Sequence, residues 1–331
     1  MIEFSNMTKY KVFMMFILLS LGVPIKSQTP SEDTKHYVLD TYDNFTSFNS
    51  NLWYRVPIMT WGVETYSPNN VTVSGGVLTL KCEKIGNNYI SGGIQTVNEK
   101  VFSYGYFEIE TKTPASGNKG PWGGFWLCTG LGGWDELDIF EPNGYDIYLG
   151  TQFNSGMSAT YNGIHRSLAE DHRQINYTGF PNLSTNFNKL AAIWTPKYVQ
   201  VLFNGNMVYE IVESIYIPWH PMTLFLTFQI QNFGNNGDPD ASTQFPLYWQ
   251  FKNFKYYRLK TDCTNGITQS NFNFATHDYK VQKFYSLTNS VVPNNSNVVL
   301  RATDYIELKA GFTVPTGSTF TAITHCYTCP N

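Results

Sequence analysis

Between about residues 38 and 260 the chain consists of short runs of alternating apolar and polar residues, separated by Gly, Asn and Pro. Alternation with a period of two is typical of strands, in which successive side chains point to opposite faces of a sheet. The segments 71–80, 104–112 and 198–211 show this pattern, and Asn204-Gly205 in the last of them favours a hairpin turn. No segment has the period of a convincing amphipathic helix. Many short strands without helices predict an antiparallel sandwich.

The composition limits the size and the partners of the protein. The chain has 331 residues, of which 42% are hydrophobic and 14% are charged. It can therefore bury a large core in one main domain with an appendage. The formal net charge of −3 provides no basic surface for nucleic acid. We expect a monomer that does not bind nucleic acid.

The N-terminal segment has the features of a secretory signal. Lys9 and Lys11 precede an apolar run over residues 12–23, and Ser27-Gln28 suits cleavage. The run is too short to span a bilayer comfortably, and no later segment qualifies as an integral membrane segment. We expect residues 1–27 to be a signal peptide and the mature protein to be secreted or associated with the cell surface.

The composition changes after Lys260, where Asn, Thr and Ser become frequent before the alternating pattern returns. We therefore expect the main domain to cover residues 28–260 and a small β-rich C-terminal module to cover residues 261–331. Sorting, surface attachment and glycan binding are alternative roles for this module. Cys326 and Cys329 have the C-x-x-C spacing without a second pair or a histidine cluster, which favours a disulfide in the tail over a zinc site.

Three carboxylates lie close together in the hexapeptide E-L-D-I-F-E of residues 136–141, within an otherwise apolar strand. An ionised carboxylate is costly to bury unless it is paired or hydrated, so a core strand has little use for three. Alternation places Glu136 and Asp138 on one face and Glu141 on the other. A one-residue β-bulge, with Phe140 as the natural candidate, would bring all three acids onto one face.

Such a cluster suits glycoside hydrolysis, which needs one carboxylate that stays ionised and one whose raised pKa lets it give up a proton. Solvated acids on an edge strand, or a calcium site, would explain the hexapeptide by itself. The flanking Trp122, Trp126 and Trp134 favour hydrolysis, because flat aromatic rings beside acids can contact the apolar faces of sugars.

Most of residues 38–260 resembles glycoside hydrolase family 16, a family of retaining endo-β-glycanases. The segment P-W-G-G-F-W-L at 121–127 is similar to the family's W-P-A-F-W-L strand, and W-D-E-L-D-I-F-E at 134–141 is similar to its bulged W-x-E-[IL]-D-[IV]-x-E signature. Four further stretches resemble the family in the same order along the chain: residues 91–94, 104–108, 192–205 and 248–259. The resemblance implies an all-β fold, an antiparallel β-jelly-roll sandwich of the concanavalin A-like type.

The resemblance also implies roles for the acids. Glu136 would be the nucleophile, Glu141 the general acid/base, and Asp138 would keep the protonation states of its neighbours apart. A retaining mechanism needs carboxyl groups about 5–5.5 Å apart, which two long Glu side chains on a concave sheet could achieve. Phe153 and Asn154 are expected to line the cleft. No cofactor is required for catalysis, although the family often carries a structural calcium ion whose ligands the sequence does not identify.

Two departures from the family concern the substrate. Glu110 stands where an arginine is common, and residues 150–154 lack the histidine often found in β-1,3-glucanases and look closer to the Q-F-N of mixed-linkage glucanases. We expect a polysaccharide substrate, a β-1,3- or β-1,3-1,4-glucan, with a galactan of the agarose or carrageenan type as the alternative. A lectin-like glycan binder that keeps the sandwich without catalysis is the alternative from another class.

Overall fold

The computed structural model describes residues 37–97, 100–114, 119–129, 135–142, 151–157, 160–161, 164–165, 172–177, 183–195, 198–211, 217–218, 220–230 and 238–324. Apart from a short 3-10 helix at Pro68–Asn70, the regular elements of these residues are strands. The strands are β1 (Tyr37–Asp43), β2 (Trp53–Arg55), β3 (Met59–Trp61), β4 (Glu64–Tyr66), β5 (Val71–Ser74), β6 (Val77–Ile85), β7 (Asn88–Ser91), β8 (Gly93–Thr96), β9 (Gly105–Lys112), β10 (Pro121–Cys128), β11 (Asp135–Pro142), β12 (Thr151–Met157), β13 (Thr160–Tyr161), β14 (Ile164–His165), β15 (His172–Tyr177), β16 (Asn188–Trp194), β17 (Val199–Phe203), β18 (Asn206–Ile211), β19 (Thr223–Ile230), β20 (Leu247–Leu259), β21 (Ile267–Ser270), β22 (Gln282–Thr288), β23 (Asn297–Leu308) and β24 (Thr319–Ile323).

Two large sheets form the main body. The seven-stranded sheet has the order β15-β12-β11-β10-β19-β8-β2, and all its neighbours are antiparallel. The eleven-stranded sheet follows the path β18-β17-β16-β9-β20-β6-β7-β4-β3, with β1 beside β20 and β5 beside β6. Its pairs are antiparallel except for β4 with β7. Strands β13 and β14 form a separate small hairpin.

The two sheets pack face to face around one hydrophobic core. Trp249 of the eleven-stranded sheet contacts Phe140 and Phe228 of the seven-stranded sheet, with ring centroids 6.2 and 5.7 Å apart. Strand β6 alternates between buried and partly exposed residues, as expected for a strand with one face on the core. Strand β10 is buried along its whole length, so both of its faces are covered. The predicted all-β sandwich is confirmed.

The predicted turn at Asn204-Gly205 is confirmed by the structure. It joins β17 and β18, and its residues have φ values of 47° and 83°. Two successive residues with positive φ twist a two-residue turn in the same sense as its strands, and glycine adopts this conformation without steric cost. The Asn-Gly pair predicts this turn well because a two-residue turn depends mainly on residues adjacent in the chain.

Residues 267–323 contain a third sheet, in which β21, β22, β23 and β24 pair in parallel. It has its own hydrophobic cluster, which includes Phe272, Tyr285 and Leu300. Val281, just before β22, instead packs against the main body in a cluster with Leu259.

The structure describes three of the five cysteines. Cys82 and Cys128 are buried and lie outside any disulfide, whereas Cys263 is disulfide-bonded. Cys326 and Cys329 lie outside the described residues, so the disulfide predicted in the tail stays a prediction.

Some predictions concern residues that the structure does not describe. Residues 1–27, with the predicted signal peptide, lie outside the described residues, as does Trp134. Among the residues that are described, no helix has the length and hydrophobicity needed to cross a membrane.

Candidate active site

Strand β11 has an irregular register with β10. Trp126 of β10 pairs with Asp138, but the preceding Phe125 pairs with Phe140, so that Ile139 has no partner on β10. This is a β-bulge in which one residue of β11 is extra. The bulge lies between Asp138 and Glu141, as predicted. The unpaired residue is Ile139, however, and not Phe140 as predicted. Both side chains are fully buried in the main core.

The register with β12, the other neighbour of β11, contains the same bulge. Leu137 pairs with Ser155 and Glu141 pairs with Gln152, so four steps along β11 match three steps along β12. The extra residue therefore brings position 141 back into phase with positions 136 and 138. The side chain of Glu141 itself lies outside the described part of the structure.

Glu136 and Asp138 lie on the face of the seven-stranded sheet that points away from the core. The alternate residue Leu137 is in the core, and Glu136 pairs with Cys128 across the β10–β11 ladder. Asp138 is 2% exposed, whereas Glu136 is partly exposed. Burial raises the pKa of Glu136, because a desolvated carboxylate is less stable than its protonated form.

The two predicted tryptophans that the structure describes are largely buried. Trp122 is 8% exposed and Trp126 is 9% exposed. The Trp126 ring stacks on Phe225, with centroids 4.5 Å apart and an interplanar angle of 20°, and its Nε1 donates to Thr227 Oγ1 at 2.9 Å. Trp126 therefore supports the floor of the site by packing. Sugar contacts by either residue stay a prediction.

The remaining two predicted cleft residues, Phe153 and Asn154, are successive positions of β12 and their side chains lie outside the described part of the structure. Since Gln152 pairs with Glu141, position 154 is in phase with the acids and position 153 is not.

Sequence reasoning missed a hairpin that covers part of this face. Strands β3 and β4 place Trp61, Glu64 and Tyr66 against the seven-stranded sheet. The Trp61 ring meets Trp126 edge to face, with centroids 6.5 Å apart. Tyr66 is 1% exposed, and a Cβ built on Gly93 would lie 3.0 Å from its Cε1 atom, so the glycine leaves room for this ring. The only sequence feature that could have indicated this hairpin was an acid, Glu64, between the aromatic residues Trp61 and Tyr66 in an alternating stretch.

Glu64 is a fully buried carboxyl group beneath this hairpin. It is 0% exposed, and burial raises its pKa to about 8. At neutral pH the protonated, uncharged form therefore predominates, which reduces the cost of burying the group.

Glu110 lies on the outer surface of the eleven-stranded sheet, away from the acids. Its carboxylate is 3.3 Å from Lys252 Nζ and accepts a hydrogen bond from Asn253 Nδ2 at 2.8 Å. The departure from the family at this position therefore adds no charge to the site. Among the residues that the structure describes, no three His, Cys, Asp or Glu side chains converge as metal ligands. The structural calcium ion stays a prediction.

Comparison with known proteins identifies the family. The sequence profile of glycosyl hydrolases family 16 matches residues 60–246, more than half of the chain. The chain belongs to this family. The bulged strand β11 lies inside the matched region.

Characterised relatives are distant. The endo-1,3-1,4-beta-glycanase EglC of Rhizobium meliloti (strain 1021) is 29% identical over 150 residues, which cover 42% of this chain and 30% of that protein. The beta-glucanase of Rhodothermus marinus is 23% identical over 233 residues, which cover 63% of this chain and 77% of that protein. The chain thus spans less than a third of EglC.

Solved family-16 structures share the fold. The laminarinase catalytic domain from Thermotoga maritima MSB8 superimposes with a TM-score of 0.55 at 21% identity, over 67% of this chain and 98% of that chain. The Bacillus licheniformis beta-glucanase gives a TM-score of 0.53 at 23% identity, over 65% of this chain and 96% of that chain.

Proposed function

We propose that the protein is an endo-acting glycoside hydrolase that cleaves a β-1,3- or β-1,3-1,4-glucan with retention of configuration. The observation that carries the proposal is the bulge of β11, which puts position 141 in phase with Glu136 and Asp138 on one face of the seven-stranded sheet. Membership of family 16 supports the reaction class, and the names of EglC and the laminarinase favour glucan over galactan.

In this mechanism Glu136 attacks the anomeric carbon while Glu141 protonates the leaving oxygen. Glu141 then takes a proton from water, which attacks the glycosyl-enzyme and releases the sugar. The nucleophile must be ionised and the acid protonated, so the two groups share one proton in the resting state. Because burial raises the pKa of Glu136, this ionised state of the nucleophile is reached only at a pH above the ordinary pKa range of glutamate. Asp138, which is buried on the same face as Glu136, keeps the protonation states of the two glutamates apart in this mechanism.

The test is reducing-sugar release from laminarin, lichenan, agarose and carrageenan, with Glu136→Ala as the inactive control. Release from the first two substrates supports the proposal, and release from galactans alone would replace glucan by galactan. Binding without turnover by the unmodified protein would identify a lectin-like glycan binder instead.

We further propose that the protein is exported as a monomer by cleavage after residue 27, and that residues 261–331 form a separate module beside a jelly-roll catalytic domain. The parallel sheet β21–β24 and its own hydrophobic cluster support the module. N-terminal sequencing of the exported protein tests the cleavage point, and light scattering tests the monomer.

A further inference from the structure

The parallel sheet of the C-terminal segment has one face on its hydrophobic cluster and carries an aromatic pair on the other. Tyr285 and Leu287 of β22 belong to the cluster, and Ile306 of β23 packs against it. By alternation, Phe284 and Tyr305 point to the opposite, outward face. The two residues are paired in the ladder, and their rings stack with centroids 5.1 Å apart and an interplanar angle of 10°. Two parallel rings therefore stand on the outward face.

Gly266 leaves room for the first of these rings. It precedes Ile267, which pairs with Tyr285, so Gly266 is level with Phe284 in the sheet. A Cβ on Gly266 would overlap ring atoms of Phe284, so this ring lies over the backbone just before β21. Phe284 in turn supports one face of the Tyr305 ring. The orientation of Tyr305 is thus fixed by packing before any ligand binds.

The other face of the Tyr305 ring is open. Strand β24 pairs with residues 297–301 of β23, and among the residues that the structure describes no strand lies beside Tyr305 on that side. Tyr305 is 47% exposed, whereas Phe284 is partly exposed. This degree of exposure agrees with a ring that is covered on one face and bare on the other.

A fixed carboxylate lies beside the open ring. Glu307 is two residues beyond Tyr305 on the same face, about 6.6 Å along the strand. Its Oε2 accepts a hydrogen bond from Ser286 Oγ at 2.8 Å and lies 3.3 Å from Lys309 Nζ. The Ser286 hydrogen bond and Lys309 hold the pKa of Glu307 below its ordinary value, so the group is ionised at neutral pH. No other described residue donates to this carboxylate, which keeps acceptor capacity for a ligand.

We propose that Tyr305 and Glu307 form a glycan-binding site in the C-terminal module, separate from the acids of β11, that holds the protein on its β-glucan. The apolar face of one sugar ring stacks on Tyr305, and a sugar hydroxyl donates to Glu307. Because Lys309 balances the charge of Glu307, the site has no net charge for an ionic ligand and suits a neutral one. The inference rests on the proposed function for the identity of the glycan.

The test measures depletion of the full chain from solution by particles of insoluble β-1,3-glucan and of mixed-linkage β-glucan, with agarose beads as a galactan. Every protein in the test carries Glu136→Ala, so that the particles are not digested and the catalytic cleft contributes equally throughout. The parent protein should partition onto at least one of the two glucans. The partition coefficient on the glucan that retains more of the parent protein is the quantity compared.

Tyr305→Ala should lower this partition coefficient about two- to tenfold, as is typical for the loss of one aromatic contact. Tyr305→Phe keeps the ring and should retain the binding. Glu307→Gln should also weaken the binding about two- to tenfold, because a neutral amide accepts a weaker hydrogen bond than a carboxylate. Since Glu307 is exposed, this variant tests the site without disturbing the stacked rings if Tyr305→Ala lowers the unfolding temperature.

Tyr248→Ala is the matched control. Tyr248 is 48% exposed and lies on β20 of the eleven-stranded sheet, where it pairs with Lys81. This variant should bind the particles like the parent protein. The inference is wrong if neither glucan retains the parent protein, if Tyr305→Ala and Glu307→Gln both bind like Tyr248→Ala, or if they lose binding to agarose to the same degree. Absence of turnover in the protein with Glu136 intact would refute the proposed function and would leave this binding test unaffected.

Discussion

Glu136 lies opposite Cys128 in the β10–β11 ladder, and burial raises its pKa. In a retaining hydrolase the acidic limb of the kcat/KM profile follows ionisation of the nucleophile in the free enzyme. We therefore expect activity to rise with pH at a midpoint above 4.5, the ordinary pKa of a glutamate. Cys128→Ser puts a better hydrogen-bond donor opposite Glu136 and should move the limb to lower pH. A limb at the ordinary value in the unmodified protein would contradict this assignment.

Glu64 makes the stability of the fold depend on pH. Burial raises its pKa from 4.5 to about 8, so between these values the folded state keeps a proton that the unfolded state has lost. The contribution of Glu64 to the free energy of unfolding is therefore greatest below pH 4.5 and is lost as the pH rises through 8, by about 3–5 kcal/mol in total. Glu64→Gln should remove this decline and stabilise the protein at pH 8. Denaturant unfolding of both proteins at pH 5 and pH 8 measures this change in the free energy of unfolding.

The control for this experiment is Glu210→Gln, which changes an exposed glutamate of β18. It should leave the decline with pH in place. If Glu64→Gln keeps the same dependence on pH as the unmodified protein, Glu64 does not hold a proton in the folded state.

The sequence identified the candidate acids but not the surroundings of Trp126. The acids of residues 136–141 were recognisable because three carboxylates in an apolar strand are costly without a function. That Phe225 stacks on Trp126 and that Trp61 meets its edge could not be predicted, because both residues are distant in the chain and strand alternation gives no information on which strands become neighbours.

In strand β11, the bulge between Asp138 and Glu141 could be predicted from parity, whereas the residue that it leaves unpaired could not. Ile139 and Phe140 are both apolar and both buried, so composition does not distinguish them. The register with β10 does distinguish them, because Phe125 pairs with Phe140 and Ile139 is left unpaired.

Deleting Ile139 tests the role of the bulge. The deletion leaves the sequence E-L-D-F-E, in which a regular strand keeps all three acids in phase. We expect measurable turnover, reduced by imperfect packing where Ile139 was buried, and a loss of stability of about 2–5 kcal/mol.

Deleting Leu137 is the matched control, because it also removes one buried aliphatic residue from β11. Glu136 then precedes Asp138 directly, so one of the acids must face the core. We expect no turnover from this variant. A folded protein without Ile139 that is as inactive as the one without Leu137 would show that the phase of the acids is not what the bulge provides.

In the molecule as a whole, the C-terminal sheet contacts the main body near β1, β9 and β20. Val281 is 1% exposed and shares a cluster with Tyr37, Tyr106 and Leu259. Its backbone also accepts a hydrogen bond from Asp262 and donates one to Lys260. These contacts lie on the eleven-stranded sheet, whereas the acids lie on the seven-stranded sheet.

Truncation after Lys260 should therefore affect stability more than turnover. We expect the unfolding temperature to fall by several degrees, at about 2–4 °C per kcal/mol for a domain of this size, while kcat on a soluble β-glucan stays within about twofold. Val281→Ala in the full chain should give a smaller decrease. A truncated protein that folds but has lost turnover would place part of the site in the C-terminal segment.

The identity of the nucleophile can be measured directly with a 2-deoxy-2-fluoro β-oligoglucoside that carries a good leaving group. The fluorine slows hydrolysis of the glycosyl-enzyme, so the sugar remains attached to the attacking carboxylate and can be located by peptide mass spectrometry. We predict a single ester on Glu136, with β-configured product formed first from ordinary substrate. A label on Glu141, or an inverted product without any label, would contradict the proposed mechanism.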